Sequence, residues 1–335
     1  MQIYDVAVIG AGSAGVMAAL RAVLNNDTCL LFSGTPHDKK RSRALWVKKV
    51  ENMPAHFNYR RGIEDPNAEV LKWISESDFK QNLQHLRHVG VSKLKKEGEL
   101  FEILDSKGVT HQSRFVILCT GVMDVQPLIQ NSIEPVFPFA NAQTIDYCLR
   151  CDGHHIKDKK SVVIGYENSA AWVAIMLHER YGSPLTLCLH GEEPKIEADT
   201  QELLKLYQIN VIREKIIEMT GDVKSGKLEG FVFEGGHQIS VEMGFVSLGM
   251  IVYSELAKSL GADLDERGFV KANAQGLSSV EGFYVAGDVM AGTKKQIYTA
   301  WDTAVNAADT INQKLRSARR ARKLAAFRDA NAPRA

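Results

Sequence analysis

The chain has 335 residues, 45% of them hydrophobic and 24% charged, with a formal net charge of +1. That length points to about two domains, each able to build a full core. The near-neutral balance excludes bulk affinity for nucleic acid or a membrane surface, and no apolar run reaches the roughly 18 residues of a membrane span.

The chain enters a strand pattern directly, with no basic n-region or apolar h-region, so a cytoplasmic protein is expected. Of its five cysteines, Cys29, Cys119 and Cys188 lie in apolar strand-like runs and read as small buried hydrophobes. Cys148 and Cys151 form a spaced pair. Without secretion signals, such a pair points to redox or metal chemistry rather than structural stapling.

In chain order, residues 4–9 read as a buried strand, followed by Gly10-Ala11-Gly12-Ser13-Ala14-Gly15 and a helical run, Val16 to Val23. Strand, G-x-G-x-x-G and helix stand in the order of the dinucleotide fingerprint. Gly10 permits the tight turn, Gly12 lets backbone approach a pyrophosphate, and Gly15 lets helix and strand pack closely. The next strand, Thr28 to Phe32, ends in Ser33-Gly34, where the fingerprint expects an acid for the ribose; Asp38 lies further into the loop. Residues 39–43 form a basic loop that reads as solvated surface. Val50-Glu51-Asn52-Met53-Pro54 precedes a helical stretch around 67–88. Residues 89–115 alternate in short strands, a small meander. Val116 to Gly121 is a buried strand ending in Thr-Gly.

Cys148-Leu149-Arg150-Cys151-Asp152-Gly153 comes next. Two thiols three residues apart can close a disulfide across one turn, and the first turn of a helix favours a thiolate. A zinc site would need a second cysteine pair or histidines at zinc spacing. His154 and His155 are close, but no second pair exists, so no metal is expected. The histidines read as local polar structure or as tuners of thiol pKa. A second βαβ unit follows: strand 161–164, turn Gly165-Tyr166-Glu167-Asn168-Ser169-Ala170, helix 171–180 and strand 185–189. Short strands continue through 210–220, 227–233 and 238–248. Phe283 to Asp288 is a strand ending in an acid, and a long helix runs from about Lys295 to beyond Ile311.

Together these motifs resemble the low-molecular-weight thioredoxin reductases. The family's glycine motif corresponds to Gly10, Gly12 and Gly15, its V-E-N-x-P segment to 50–54, its A-T-G strand end to Cys119-Thr120-Gly121, its C-A-T-C-D-G motif to 148–153, and its G-D and R-Q motifs to Gly287-Asp288 and Lys295-Gln296. The resemblance implies an α/β fold of two Rossmann-like dinucleotide-binding domains, the second inserted in the first. The FAD domain would comprise 1–121 and 247–335, and the inserted domain 122–246. It implies FAD contacts at Gly10, Gly12, Ser13, Ala14, Gly15, Asn52, Thr120, Gly121, Gly287, Asp288, Lys295, Gln296 and Ile297. Cys151 would be the thiol nearest the flavin, Cys148 the thiol that attacks a disulfide partner such as thioredoxin, and Asp152 the acid/base. A homodimer is also implied.

The resemblance breaks at the second nucleotide motif. The family has G-x-G-x-x-A, whereas this chain has Glu167 at the middle glycine. Like charges at ~4 Å cost about 4 kcal/mol at an effective dielectric of 20. The family's H-R-R-x-x-x-R segment, which reads the NADPH 2′-phosphate, is replaced by His190-Gly191-Glu192-Glu193-Pro194. Glu192 could instead accept a ribose 2′-OH. Glu167 could also simply cap the helix that follows. The chain resembles a pyridine-nucleotide-independent branch of the family, part of which is expected to take electrons from ferredoxin. Lys314, Arg316, Arg319, Arg320, Arg322 and Lys323 form an acid-free basic segment, either a docking patch for acidic ferredoxin or a solvated helix end. Leu315, Leu324 and Phe327 suggest that this segment packs on the body, and Trp301 or Phe327 is a candidate cover for the isoalloxazine. The alternatives are an NADPH thioredoxin reductase with an atypical cofactor site, a dithiol oxidase passing electrons to oxygen, and a non-catalytic flavin-bound scaffold.

Overall fold

A computed structural model describes residues 2–35, 42, 45 and 47–331. Asp38 and the basic loop apart from Ser42 lie outside the described residues. Contacts divide the chain into two units, residues 1–41, 64–122 and 252–335, and residues 42–63 and 123–251.

The first unit begins with β1 (Ile3–Ile9), α1 (Ser13–Leu24) and β2 (Cys29–Phe32), and continues after residue 63 with α2 (Glu64–Glu76), β3 (Leu83–Leu86), β4 (Val91–Glu97), β5 (Leu100–Asp105) and β6 (Thr110–Leu118). The chain then passes through β7 (Val122–Asp124) into α3 (Phe137–Asn141), β8 (Ile145–Asp146), α4 (Leu149–Asp152), β9 (Ser161–Ile164), α5 (Asn168–Tyr181), β10 (Leu185–Cys188), α6 (Ala198–Leu206) and β11 (Asn210–Ile212). β12 (Ile216–Asp222), β13 (Lys227–Phe233), β14 (Gln238–Ser240) and β15 (Met243–Val246) lead to β16 (Met250–Val252), which pairs with β7. The first unit closes with α7 (Glu255–Ser259), β17 (Phe283–Val285) and α8 (Ile297–Ala330).

The first unit's sheet has seven strands in the order β3-β2-β1-β6-β5-β4, with β17 also on β6. β6 carries two pairings. Its N-terminal half pairs antiparallel with β5, and its C-terminal half pairs parallel with β17 at Val116, Ile117 and Leu118. Strands β1 and β2 read as continuous apolar runs because both faces are covered. On one face Val6 and Val8 meet Ala18, Ala19 and Ala22 of α1 and Ala300, Ala304 and Ala307 of α8. Those small side chains permit close helix packing. On the other face Ala7, Ile9, Leu30 and Phe32 pack with Phe101, Phe283 and Val289.

The second unit has a five-stranded parallel sheet, β11-β10-β9-β15-β8, and a three-stranded antiparallel one, β12-β13-β14. The architecture is therefore α/β with two Rossmann-like units.

Three expectations need correction. Residues 83–86, read as the end of a helix, form β3, because Leu83 to Leu86 pair parallel with Cys29 to Phe32 and tertiary pairing overrides local propensity. Residues 42–63, assigned by sequence to the first domain, group with the second unit, where Glu51 pairs with His154 and His155. The basic segment does not pack on the body throughout. α8 is continuous for 34 residues, Leu315 is buried, but Leu324 and Phe327 are 49% and 65% exposed. At about 1.5 Å per residue, Phe327 lies some 45 Å along α8 from Ile297. It cannot cover a ligand at that helix's first turn in its own protomer.

Candidate functional site

In the first unit, the predicted cofactor residues meet where β1, β6 and β17 end and α1 and α8 begin. Gly10 has φ +107°, a conformation that L side chains rarely adopt, and a Cβ there would strike the carbonyl oxygen of Cys119. A Cβ on Gly15, in the first turn of α1, would strike the carbonyl oxygen of Gly10. Gly12 differs, because a Cβ there meets nothing within 4 Å. Gly12 is the N-cap of α1, immediately before Ser13 and Ala14. Gly10 and Gly15 are thus fixed by packing, whereas Gly12 leaves open space at a helix N-terminus, where a pyrophosphate is stabilised.

Gly287 follows β17 with φ +77°, and a Cβ there would lie 2.8 Å from that of Ala14. Its N–H donates to Thr303 Oγ1 of α8 at 3.0 Å. Asp288 is half-buried beside it. Gln296 is the buried N-cap of α8, and Ile297 is its first residue. Lys295 Nζ donates to the Met290 carbonyl at 2.7 Å and to Thr293 Oγ1 at 3.2 Å, 4.1 Å from the Phe269 ring centroid. Burial lowers its pKa to about 8. Thr120 Oγ1 donates to the Tyr253 carbonyl at 2.6 Å, and Tyr253 N–H donates to Gly121 O at 3.2 Å. Asn52 alone of the predicted cofactor residues falls in the segment grouped with the second unit.

In the second unit, Cys148 and Cys151 are disulfide-bonded. Cys148 is the N-cap of α4, and its sulfur accepts the Cys151 N–H at 3.1 Å. That donor is in place for the Cys148 thiolate after reduction. Asp152 is only 2% exposed, and its carboxylate and the two sulfurs all lie within 4.8 Å of one another. Cys29, Cys119 and Cys188 are buried free thiols whose pKa burial raises, as expected of inert core residues.

The second glycine motif keeps one of its two functions. A Cβ on Gly165 would strike the Ser247 carbonyl and stand 2.5 Å from the Cβ of Ala170, so close packing of turn and helix is retained. Glu167 is the exposed N-cap of α5, but its side chain makes no capping hydrogen bond, so the capping role is not realised. Its backbone bridges Lys195, whose N–H donates to Tyr166 O at 2.8 Å. His190 Nδ1 accepts the Ile216 N–H at 3.1 Å, and Glu192 and Glu193 are exposed.

A family model, pyridine nucleotide-disulphide oxidoreductase, matches residues 4–308. The chain belongs to that family. Like other pyridine nucleotide-disulphide oxidoreductases of the thioredoxin reductase type, it is a flavin-dependent thiol-disulfide oxidoreductase, and its cofactor is FAD. The cradle fits that cofactor, with open space at Gly12 and closed contacts at Gly10, Gly15 and Gly287. The chain is 27% identical over 307 residues to a thioredoxin reductase of Listeria innocua, covering 89% of this chain and 90% of that protein. It is 27% identical over 315 residues to an alkyl hydroperoxide reductase of Pseudomonas aeruginosa, covering 89% of this chain but spanning only 55% of that longer relative. Among solved structures, a putative thioredoxin reductase TrxB of Bacillus anthracis superposes with a TM-score of 0.79 at 23% identity, covering 94% of this chain and 99% of that one. Among the described residues, no helix is long and apolar enough to cross a membrane.

Sequence reasoning missed Asp146 and gave Glu51 no role of its own. Glu51 Oε2 stands 2.9 Å from His154 Nε2 and 2.8 Å from His155 Nε2, and His155 Nδ1 stands 2.8 Å from Asp146 Oδ2. The signal available was the His154-His155 pair beside the cysteine motif. The partners of His155 lie 9 and 104 positions away in the chain and share no spacing rule.

Proposed function

We propose that this protein reduces disulfides of a protein partner such as thioredoxin, as a cytoplasmic homodimer, without taking electrons from NADPH. Glu167 carries this reading. It places a carboxylate at the N-terminus of α5, where a pyrophosphate needs bare backbone. Glu192 and Glu193 stand where the 2′-phosphate of NADPH would need arginines.

Bound FAD supplies two-electron reducing equivalents to the Cys148–Cys151 disulfide. The rest of the chemistry belongs to the chain. The Cys148 thiolate, held by the Cys151 N–H, attacks one sulfur of the partner disulfide and displaces the other sulfur as a thiolate. Asp152 protonates that leaving group. Cys151 then attacks Cys148, closing the disulfide again and releasing the partner as a dithiol.

The donor in this reading is a reduced ferredoxin, a small acidic protein steered by the exposed basic face of α8. Anaerobic mixing of FAD-loaded enzyme with stoichiometric NADPH, NADH or reduced ferredoxin tests it. The flavin absorption band should persist with both nucleotides and bleach with reduced ferredoxin. Bleaching by NADPH refutes the reading, and oxygen uptake driven by a dithiol would show that electrons run in the opposite direction.

A further inference from the structure

We propose that His155, with Glu51 and His154, is a proton relay that reloads Asp152 during disulfide exchange, an inference that rests on the disulfide-reducing role of Cys148 and Cys151. The groups form an unbroken series within the second unit. The Cys148 and Cys151 sulfurs and the Asp152 carboxylate lie within 4.8 Å of one another, as do the Asp152 carboxylate, a His155 ring nitrogen and the Asp146 carboxylate. Glu51 Oε2 joins His155 Nε2 at 2.8 Å to His154 Nε2 at 2.9 Å. Exposure rises along the series, from 2% for Asp152 to side-chain values of 16% for His155, 32% for Glu51 and 48% for His154. One end is at the reacting sulfurs and the other is in water.

Each member has a physical reason to be there. Asp152 is buried, so after giving up its proton it has poor access to water. Asp146 fixes His155 through Nδ1, leaving Nε2 to Glu51, and its other oxygen is buried with no hydrogen-bond partner. The charged groups facing His155 are Asp146 from β8, Asp152 from α4, and Glu51 from the segment 42–63, with His154 adjacent. Burial disfavours the imidazolium, but hydrogen bonds and charge from Asp146 and Glu51, with Asp152 adding charge, overcome it and raise the pKa to about 9. His155 is therefore a loaded donor at neutral pH.

Reducing one partner disulfide consumes the two electrons of the Cys148–Cys151 dithiol and delivers two protons to the partner sulfurs. The first passes from Asp152 to the leaving thiolate. The imidazolium of His155 returns a proton to Asp152, and water recharges His155 through His154 and Glu51. The second thiolate is protonated the same way.

The test uses FAD-loaded enzyme reduced with dithionite, freed of excess reductant and mixed anaerobically with an aryl disulfide across pH 6 to 9, so that no physiological donor is needed. His155→Gln should lower the exchange rate at pH 8 by about 10-fold or more and move the pH profile to lower pH, and added imidazole should restore part of the rate. Glu51→Gln should give a smaller loss with the same pH shift. A His155→Gln profile matching that of wild type overturns the relay, as does a uniform loss at every pH that imidazole does not restore. If His155→Gln fails to bind FAD or to fold, Glu51→Gln decides alone. Stoichiometric zinc on purified enzyme, lost in His154→Ala, would also overturn it, because the ring nitrogens would then be ligands. Failure of the underlying reading looks different: Cys148→Ser would exchange as fast as wild type.

Discussion

Gly287 approaches Ala14 so closely that a Cβ on the glycine would stand 2.8 Å from the alanine Cβ. One residue ends the last strand of the first unit, and the other opens its first helix. Their contact pins the two chain ends of the FAD cradle together. Gly287→Ala adds both that clash and the strain of φ +77°, a backbone cost of about 1–2 kcal/mol. The purified variant should show reduced flavin content and a lower melting temperature.

Gly12→Ala separates ligand binding from folding. Its Cβ enters open space, so the protein without flavin should melt within a few degrees of flavin-free wild type. Flavin content, read as the ratio of flavin to protein absorbance, should nevertheless collapse, because the methyl occupies space needed by the pyrophosphate. Full flavin content in this variant would contradict the assignment of the cradle.

Cys148→Ser and Cys151→Ser should each abolish disulfide reduction, to below about 1% of wild type, while retaining stoichiometric FAD. Both cysteines lie in the second unit and the glycine cradle lies in the first. Flavin absorbance and disulfide turnover measured on the same samples check this.

The basic helix is anchored at one place. Asn312 donates to the buried Asp27 at 2.8 Å, and Arg319 reaches Asp5 at 2.9 Å and Asp27 at 3.6 Å. Arg319→Ala should destabilise by roughly 1 kcal/mol, because Arg319 is partly solvated while Asp27 is buried. Removing residues 320–335 should leave the melting temperature nearly unchanged, since these side chains are exposed where described. If ferredoxin is the donor, the same truncation should slow flavin reduction, most clearly at low salt.

His155 also links stability to pH. Its folded-state pKa, about 9, lies above the ordinary value of 6.5. Its contribution is therefore fully present below pH 6.5 and is lost as pH rises through 9. The melting-temperature gap between wild type and His155→Gln should narrow across that window, as differential scanning fluorimetry at each pH would show.

Much of this was readable from sequence because local chemistry encoded it. Gly10, Gly12 and Gly15 sit between a strand and a helix, Cys148 and Cys151 are one turn apart, and Gly287-Asp288 ends an apolar strand. Each requirement concerns neighbouring residues, so each leaves a motif. β3 was misread because what makes Leu83 to Leu86 a strand is a partner more than fifty residues away in the chain.

By itself, then, the sequence determined the α/β class, the two dinucleotide motifs, the redox pair and the loss of glycine at Glu167. Only the tertiary structure decided that residues 42–63 group with the second unit, that Phe327 is carried far from the start of α8, and that Glu51 and Asp146 grip His155 beside Asp152. The physical reason is the same in each case. Burial and hydrogen bonding act between groups brought together by the fold, and no local spacing rule records which distant carboxylate will face which imidazole.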